Sequence, residues 1–95
     1  MYARLVRYSL GPGMHAEARA LADHLAPLIA AQPGCSSVAI FGNESDGQGG
    51  VFVLWDTEAD AMAAAGVIRP LLDEHLSGRV EGPPDTRLFE VLSTG

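Results

Sequence analysis

The sequence predicts an α+β domain in which two helices cover one antiparallel sheet of four strands. Three observations support this prediction. Apolar residues alternate with a period of two in short stretches, they recur at three- and four-residue steps in two longer stretches, and glycine or proline separates these stretches. The order of the predicted elements along the chain is β-α-β-β-α-β.

The first strand and the first helix fill the first third of the chain. Residues 2–10 alternate between two faces, which predicts a strand. One face carries Tyr2, Arg4, Val6, Tyr8 and Leu10. Between Met14 and Gln32 apolar residues recur at helical spacing, so we expect a helix that packs on the sheet. Pro27 lies within this pattern and should kink the helix or split it near Ala26.

The next two strands are neighbours in the sequence. Residues 36–42 contain four consecutive apolar side chains, and Val51–Trp55 contains five. The polar, glycine-rich stretch 43–50 is expected to be a hairpin loop, so the two strands should pair. Because bulky side chains occupy both faces of Val51–Trp55, that strand should be covered on both sides.

The second helix has a clear start and an expected interruption. Thr57 should cap its N-terminus, with Asp60 three residues later as a variant of the capping box. Small apolar residues then recur at helical spacing. Pro70 and the residue before it should interrupt the helix, which resumes over residues 71–76 and stops at Gly78.

The last strand follows a rigid, proline-rich segment. Residues 82–85 favour an extended conformation, and residues 86–92 alternate as a strand. The order βαββαβ is that of the split βαβ, ferredoxin-like plan, with both helices on one face of the sheet. The other face, including one side of Val51–Trp55, would then be bare, so the sheet of a second copy is the natural cover.

Composition bounds the class of protein. The 95 residues, 47 % of them hydrophobic, suffice for a single domain with one modest core. All six basic residues are arginine and the net charge is −6, so neither nucleic-acid binding nor lysine chemistry is expected. Cys35 is the single cysteine and should be a small buried hydrophobe. No signal peptide or membrane-spanning run is visible, so we expect a soluble, cytoplasmic protein without membrane contact.

The histidines lack the spacing of a metal site. No i,i+4 histidine pair, paired-cysteine motif or EF-hand loop is present, so no metal is expected. His24 lies on the edge of the first helix's apolar stripe, where a neutral imidazole could accept a proton. The alternatives are a hydrogen-bonded helix-flank residue for His24 and a solvated helix end for His75. His15 is expected to be exposed.

Trp55 and the first strand supply candidate binding residues. The indole of Trp55 could stack on a planar aromatic ligand in an apolar pocket, or it could anchor the core at the end of its strand. Arg4 shares a strand face with Tyr2 and Tyr8. Its guanidinium could hold a carboxylate or an enolate oxygen that the phenols orient, or it could pair with an acidic residue at the strand edge.

Four short segments occur in an order and at spacings typical of one protein family. They are Gly13 at the first helix, Gln32–Cys35 before the second strand, Phe52–Trp55 with the following Thr57–Ala59, and Gly82–Pro84 leading into Leu88–Val91. With these features, almost the whole chain resembles the antibiotic biosynthesis monooxygenase domain family of the dimeric α+β barrel superfamily. The resemblance implies a ferredoxin-like protomer and a homodimer whose two sheets face one another.

The resemblance also implies a chemistry. Characterised relatives include monooxygenases that oxidise aromatic polyketides without a cofactor, and haem-degrading enzymes. In the oxygenases a tryptophan at the end of the third strand lines a pocket between sheet and helices, and Trp55 matches it; Val6 matches a pocket-facing position of the first strand. Haem degradation is not expected, because that branch uses an asparagine in the first strand, which is absent here, and a helix-two histidine where this chain has Ala63–Ala65.

Two functions therefore stay open. One is a cofactor-independent monooxygenase that acts on a small phenolic, polyketide-like substrate stacked on Trp55, with His24, His75 or Tyr8 as the proton acceptor. The other is a non-catalytic dimer of the same fold that binds a small apolar molecule or serves as an accessory subunit, since fold alone does not determine function.

Overall fold

The computed structural model describes all 95 residues and contains the six elements in the predicted order. They are β1 (Tyr2–Ser9), α1 (His15–Ala30), β2 (Cys35–Gly42), β3 (Gln48–Trp55), α2 (Glu58–Leu76) and β4 (Asp85–Glu90). The strands form one sheet in the order β2-β3-β1-β4, and every neighbouring pair is antiparallel. The α+β, ferredoxin-like prediction is confirmed. Neither helix combines the length and the apolar content that crossing a membrane would need.

The core lies between the helices and one face of the sheet. On β3 the side chains of Val51, Val53 and Trp55 point to this side and are at most 2 % exposed. They pack with residues of β1 and of both helices: Val6, Leu10, Leu21, Leu25, Ile29, Ala61, Ala64, Leu72 and Leu76. Burying each large apolar side chain contributes about 1.5–3 kcal/mol to folding, so this single layer supplies most of the stability.

Both helices continue through their prolines, so the interruption expected at Pro70 and the alternative of a split near Ala26 are wrong, whereas a kink at Pro27 stays a prediction. α1 includes Pro27 and α2 includes Pro70. A proline leaves the carbonyl four residues earlier without its helical hydrogen bond, here the carbonyls of Asp23 and Gly66. All four residues are exposed, so water can satisfy the freed carbonyls while buried apolar neighbours hold each helix on the sheet.

The ends of α2 follow the predicted signals. The backbone N–H of Asp60 donates to Oγ1 of Thr57 over 3.1 Å, as predicted for the cap. The helix ends at Leu76, where the N–H of Ser77 donates to the carbonyl of Asp73. Gly78 then adopts a positive φ of 75°, a conformation that glycine accepts without strain.

The stretch expected to be entirely hairpin loop is partly strand. Gln48, Gly49 and Gly50 belong to β3 and pair with β1. A Cβ added at Gly50 would collide with the backbone oxygen of Val6 and lie 2.6 Å from Cζ of Phe41. The absence of a side chain at this position therefore allows three strands to approach closely. The glycines of residues 48–50 serve strand packing, although the composition of this stretch is typical of a turn.

The face of the sheet opposite the helices is bare in the protomer. Three phenylalanines from three strands, Phe41, Phe52 and Phe89, are 44 %, 37 % and 47 % exposed there. Leu5 and Leu54 lie half-buried among them. We call these five residues the open sheet face. β3 thus carries bulky side chains on both sides, as predicted, but this chain covers only one of them.

We expect the Thr57 cap to contribute measurably to stability. Thr57→Ala removes the oxygen that accepts from the N–H of Asp60 and should lower the free energy of unfolding by about 1 kcal/mol in urea denaturation. Thr57→Ser keeps a hydroxyl at the same place and should stay close to the wild type. Equal losses in both variants would contradict the role of the hydrogen bond.

Candidate functional site

A cavity of about 310 Å³ lies between the sheet and α2. Its sheet side consists chiefly of Arg4, Val6, Val51, Val53 and Trp55. On the helix side Ala61 and Ala65 contribute small side chains to the lining, beside the larger Met62, Ile68 and Leu72 of the same helix. The volume is at the lower end of the range typical of small-molecule sites, and nine of its 14 lining residues are hydrophobic.

Trp55 lines this cavity and carries an unsatisfied polar atom. The side chain is 1 % exposed, and its Nε1–H is buried without a hydrogen-bond partner. An unpaired buried donor costs about 1–3 kcal/mol. Because so little of the indole is accessible, a ligand in the cavity reaches Nε1–H or the ring face only if the side chains around Trp55 move.

Two arginines line the same cavity from opposite layers. Arg4 lies on β1 in register with Val53, and Arg69 lies on α2. Burial lowers the pKa of the Arg4 guanidinium, and the positive charge of Arg69 lowers it further. The only salt bridge in the structure joins Arg87 to Asp85, and neither cavity arginine makes a side-chain hydrogen bond. The alternative role of Arg4, a salt bridge with an acidic residue at the strand edge, is therefore not observed.

Asp73 is the only carboxylate in the cavity lining. It lies one helical turn after Arg69 but makes no salt bridge within 4.0 Å with either arginine. Positions 61, 65, 69 and 73 follow one another at four-residue steps, so the side chains share one face of α2. This spacing could have identified Arg69 and Asp73 from the sequence, but the expected break at Pro70 concealed it.

Tyr2 and Tyr8 share the strand face of Arg4 but do not line the cavity. Tyr2 lies near the start of α2, where the negative charge of Glu58, then burial and Glu90, raise the pKa of its hydroxyl. Tyr8 lies at the other end of β1, beside a recess of only about 10 Å³. Burial raises the pKa of Tyr8, so its phenol is a weaker acid than a free tyrosine.

His24 and His75 meet each other on the helix layer. Their ring centroids are 5.0 Å apart with the planes at 71°, an edge-to-face contact between α1 and α2. His24 is exposed, His75 is half-buried, and neither lines the cavity. His15 is half-buried at the recess beside Tyr8, not exposed as expected. No group of three His, Cys, Asp or Glu side chains is arranged to hold a metal ion.

The structure thus brings together Arg4, Val6 and Trp55 from the predicted site. It does not bring any of the three predicted proton acceptors, His24, His75 and Tyr8, to the same cavity, because the buried leucines of α1 occupy the inward positions and Tyr8 lies at the far end of its strand. A catalytic role for these three residues stays a prediction that would require a binding site elsewhere.

Cys35 is half-buried and packs against the core, although it is less enclosed than expected. Burial and the negative charge of Asp56 raise the pKa of its thiol. Its Sγ lies 3.7 Å from the carbonyl oxygen of Ser37, and no basic side chain contacts it. The thiol therefore has no means of activation as a nucleophile.

The two tyrosines predict a specific alkaline behaviour. Both pKa values are raised in the folded chain, so on raising the pH the unfolded chain loses its phenolic protons first. The free energy of unfolding should therefore be unaffected by these groups below about pH 10 and fall above it. Tyrosinate absorbance should show both transitions above that value, and Glu58→Gln should lower the pKa of Tyr2 alone. A shift of Tyr8 in that variant would contradict the assignment.

Comparisons with known proteins support the fold. No protein-family model matches the sequence, and no curated protein matches it. Solved structures do match. A protein of unknown function from Nitrosomonas europaea is 24 % identical, with 99 % of this chain and 91 % of that chain covered and a TM-score of 0.83. A protein provisionally named an antibiotic biosynthesis monooxygenase, also from Nitrosomonas europaea, is 16 % identical over 98 % and 100 % of the two chains, with a TM-score of 0.82.

A further similar structure holds a ligand. The ActVA-Orf6 monooxygenase of Streptomyces coelicolor, in complex with nanaomycin D, is 17 % identical, with 98 % of this chain and 88 % of that chain covered and a TM-score of 0.76. At these identities the likeness concerns the fold. The resemblance noted in the sequence is thereby confirmed at the level of structure: this chain has the fold of the proteins named antibiotic biosynthesis monooxygenases.

Proposed function

We propose that the chain belongs to the antibiotic biosynthesis monooxygenase family and oxidises a small phenolic aromatic molecule with O₂, without a cofactor. The observation that supports the proposal is the largely apolar cavity of about 310 Å³ between the sheet and α2, which Trp55 lines. A planar substrate would occupy this cavity, and a shift of the side chains that cover the indole would let it pack against Trp55 and accept a hydrogen bond from Nε1–H. A SnoaB variant from Streptomyces nogalater, named a cofactor-independent oxygenase, shares this fold with a TM-score of 0.73 at 18 % identity, with 98 % of this chain and 94 % of that chain covered.

The reaction would draw its electrons from the substrate. Deprotonation of a phenolic substrate gives an electron-rich carbanion, which can reduce O₂ and form a C–O bond. One oxygen atom becomes the carbonyl of a quinone, and the other leaves as water with two hydrogens of the substrate: one from the oxidised carbon and one from the hydroxyl of a phenol, or both from the CH₂ group of an anthrone. The protein then has to orient the substrate, accept a proton and exclude bulk water.

Asp73 is the group best placed to accept that proton. It is the only carboxylate in the cavity lining, whereas Arg4 and Arg69 offer only N–H donors. Positive charge near the substrate would also stabilise the anion that deprotonation creates.

We expect purified protein to consume O₂ in the presence of an anthrone-type substrate faster than the protein-free rate. Asp73→Asn should lower this rate by a factor of about 10² or more, because general-base catalysis contributes that much. Asp46→Asn, a matched change in the exposed loop before β3, should leave it unchanged. Uptake at the protein-free rate by the wild type would contradict the monooxygenase proposal.

The second candidate function is a non-catalytic dimer that binds a small apolar molecule or acts as an accessory subunit. The observation that favours it is the distance of His24, His75 and Tyr8 from the cavity, which leaves one exposed carboxylate as the only base. Binding of the aromatic compound without O₂ consumption would support this alternative.

We further propose that two copies associate through the open sheet face. Phe41, Phe52 and Phe89 expose large apolar side chains on one side of the molecule, and such a patch is costly to leave in water. The open sheet face of a second copy, related by a twofold axis, carries the same three phenylalanines and could cover them.

Phe52→Lys should test this association because Phe52 lies on β3, one of the two central strands of the open sheet face. Sedimentation at micromolar concentration should give the mass of two chains for the wild type and of one chain for the variant. Val67→Lys changes a side chain of similar exposure on α2, on the helix layer, and should stay dimeric. A monomeric wild type would contradict the proposal.

A further inference from the structure

The charges at the cavity are unusual for so acidic a chain. The protein carries twelve acidic and six basic residues, so carboxylate partners for arginine are abundant. Arg4 and Arg69 nevertheless face a largely apolar cavity without a salt bridge. The lining holds two positive charges and the single negative charge of Asp73. Its net formal charge is therefore positive, whereas that of the whole chain is negative.

The positive charges of Arg4 and Arg69 repel each other, although water screens the exposed side chain of Arg69. The pKa of Arg4 is lowered first by burial and second by the charge of Arg69, which means that both effects disfavour its protonated form. An anion would reverse both costs, because it replaces lost hydration and screens the repulsion. The guanidinium fork matches a carboxylate through two parallel hydrogen bonds.

The apolar lining is a second feature of the cavity that bears on its ligand. Nine of the 14 lining residues are hydrophobic, and they include Trp55. The indole is only 1 % exposed, so its unpaired Nε1–H comes within reach of a ligand only if neighbouring side chains move. A ligand that suits this lining combines an apolar body with a group that pairs with arginine.

We propose that the cavity binds an aromatic carboxylate, with the carboxylate held by Arg4 and Arg69 and the ring system against Trp55. The inference rests on the proposed small-molecule site and deepens it by naming the charge and chemical class of the ligand. It does not depend on whether the ligand is oxidised.

A matched pair of probes separates charge from shape. Anthraquinone-2-carboxylate and anthraquinone-2-carboxamide have nearly the same planar shape, but only the first is an anion near neutral pH. Trp55 is the only tryptophan, so quenching of its fluorescence reports occupancy of the cavity, and titration calorimetry gives a second measure of affinity. At low salt we expect the carboxylate to bind at least about tenfold more tightly, since hydrogen bonds to charged groups are the stronger ones.

The arginine variants test the source of this preference. Arg4→Met and Arg69→Met should each reduce the preference for the carboxylate several-fold while leaving carboxamide binding nearly unchanged. Arg69→Lys should keep part of it, because the charge remains but the fork is lost. Arg79→Met removes an exposed charge beyond the end of α2, outside the cavity lining, and should keep the full preference.

Each outcome decides between the two proposals. Equal binding of both probes to the wild type would overturn the carboxylate inference and leave the aromatic site in place. If neither probe binds, both the inference and the proposed site fail. If Arg79→Met lost as much of the preference for the carboxylate as Arg69→Met, the preference would come from the charge of the whole protein, and the carboxylate inference would be overturned. Circular dichroism checks folding, and Arg69→Met, which changes an exposed residue of the cavity lining, carries the test if Arg4→Met does not fold.

Discussion

The alternation of side chains along β3 is the constraint on which the rest of the structure depends. Val51, Val53 and Trp55 point toward the helices and form the floor of both the core and the cavity, while Phe52 and Leu54 point away. A shift of one residue in register would exchange these two sets. The glycine at position 50 helps to keep β3 in close contact with the neighbouring strands, so that the indole lies at one end of the sheet, close to the start of α2.

The cavity arises because the two helices cover the sheet with side chains of different size. α1 places Leu21, Leu25 and Ile29 against it and leaves them at most 8 % exposed. α2 also buries Leu72 and Leu76, but toward the cavity it contributes the alanines at positions 61 and 65. Protein interiors are otherwise closely packed, and larger residues here would add apolar contacts. The unfilled space and the unpaired Nε1–H are costs to stability at one place, which is where a binding site is expected to be less than optimally packed.

The sequence predicted the topology and the strand side of the site because both follow from local periodicity. Two-residue alternation placed Arg4 and Val6 on one face, and the apolar run placed Trp55 at the end of its strand. The helix side was missed for a physical reason: Pro70 is a strong local signal for a break, but its exposed position allows the helix to continue and brings Arg69 and Asp73 into line with the alanines. The His24–His75 contact depends on how two helices lie side by side, which no local pattern encodes.

The arrangement of charge links binding to any chemistry at the site. A carboxylate such as Asp73 removes a proton from a phenol more readily if the resulting anion is stabilised, because the two negative charges repel each other; the exposure of Asp73 to water weakens this repulsion. The two guanidinium groups outnumber this carboxylate, so the cavity can hold a second negative charge without becoming negative as a whole. An anionic ligand would use part of this positive charge before any reaction. The two arginines therefore limit the number of negative charges that the cavity can hold. A ligand with one acidic group leaves positive charge available to stabilise an anion formed by deprotonation.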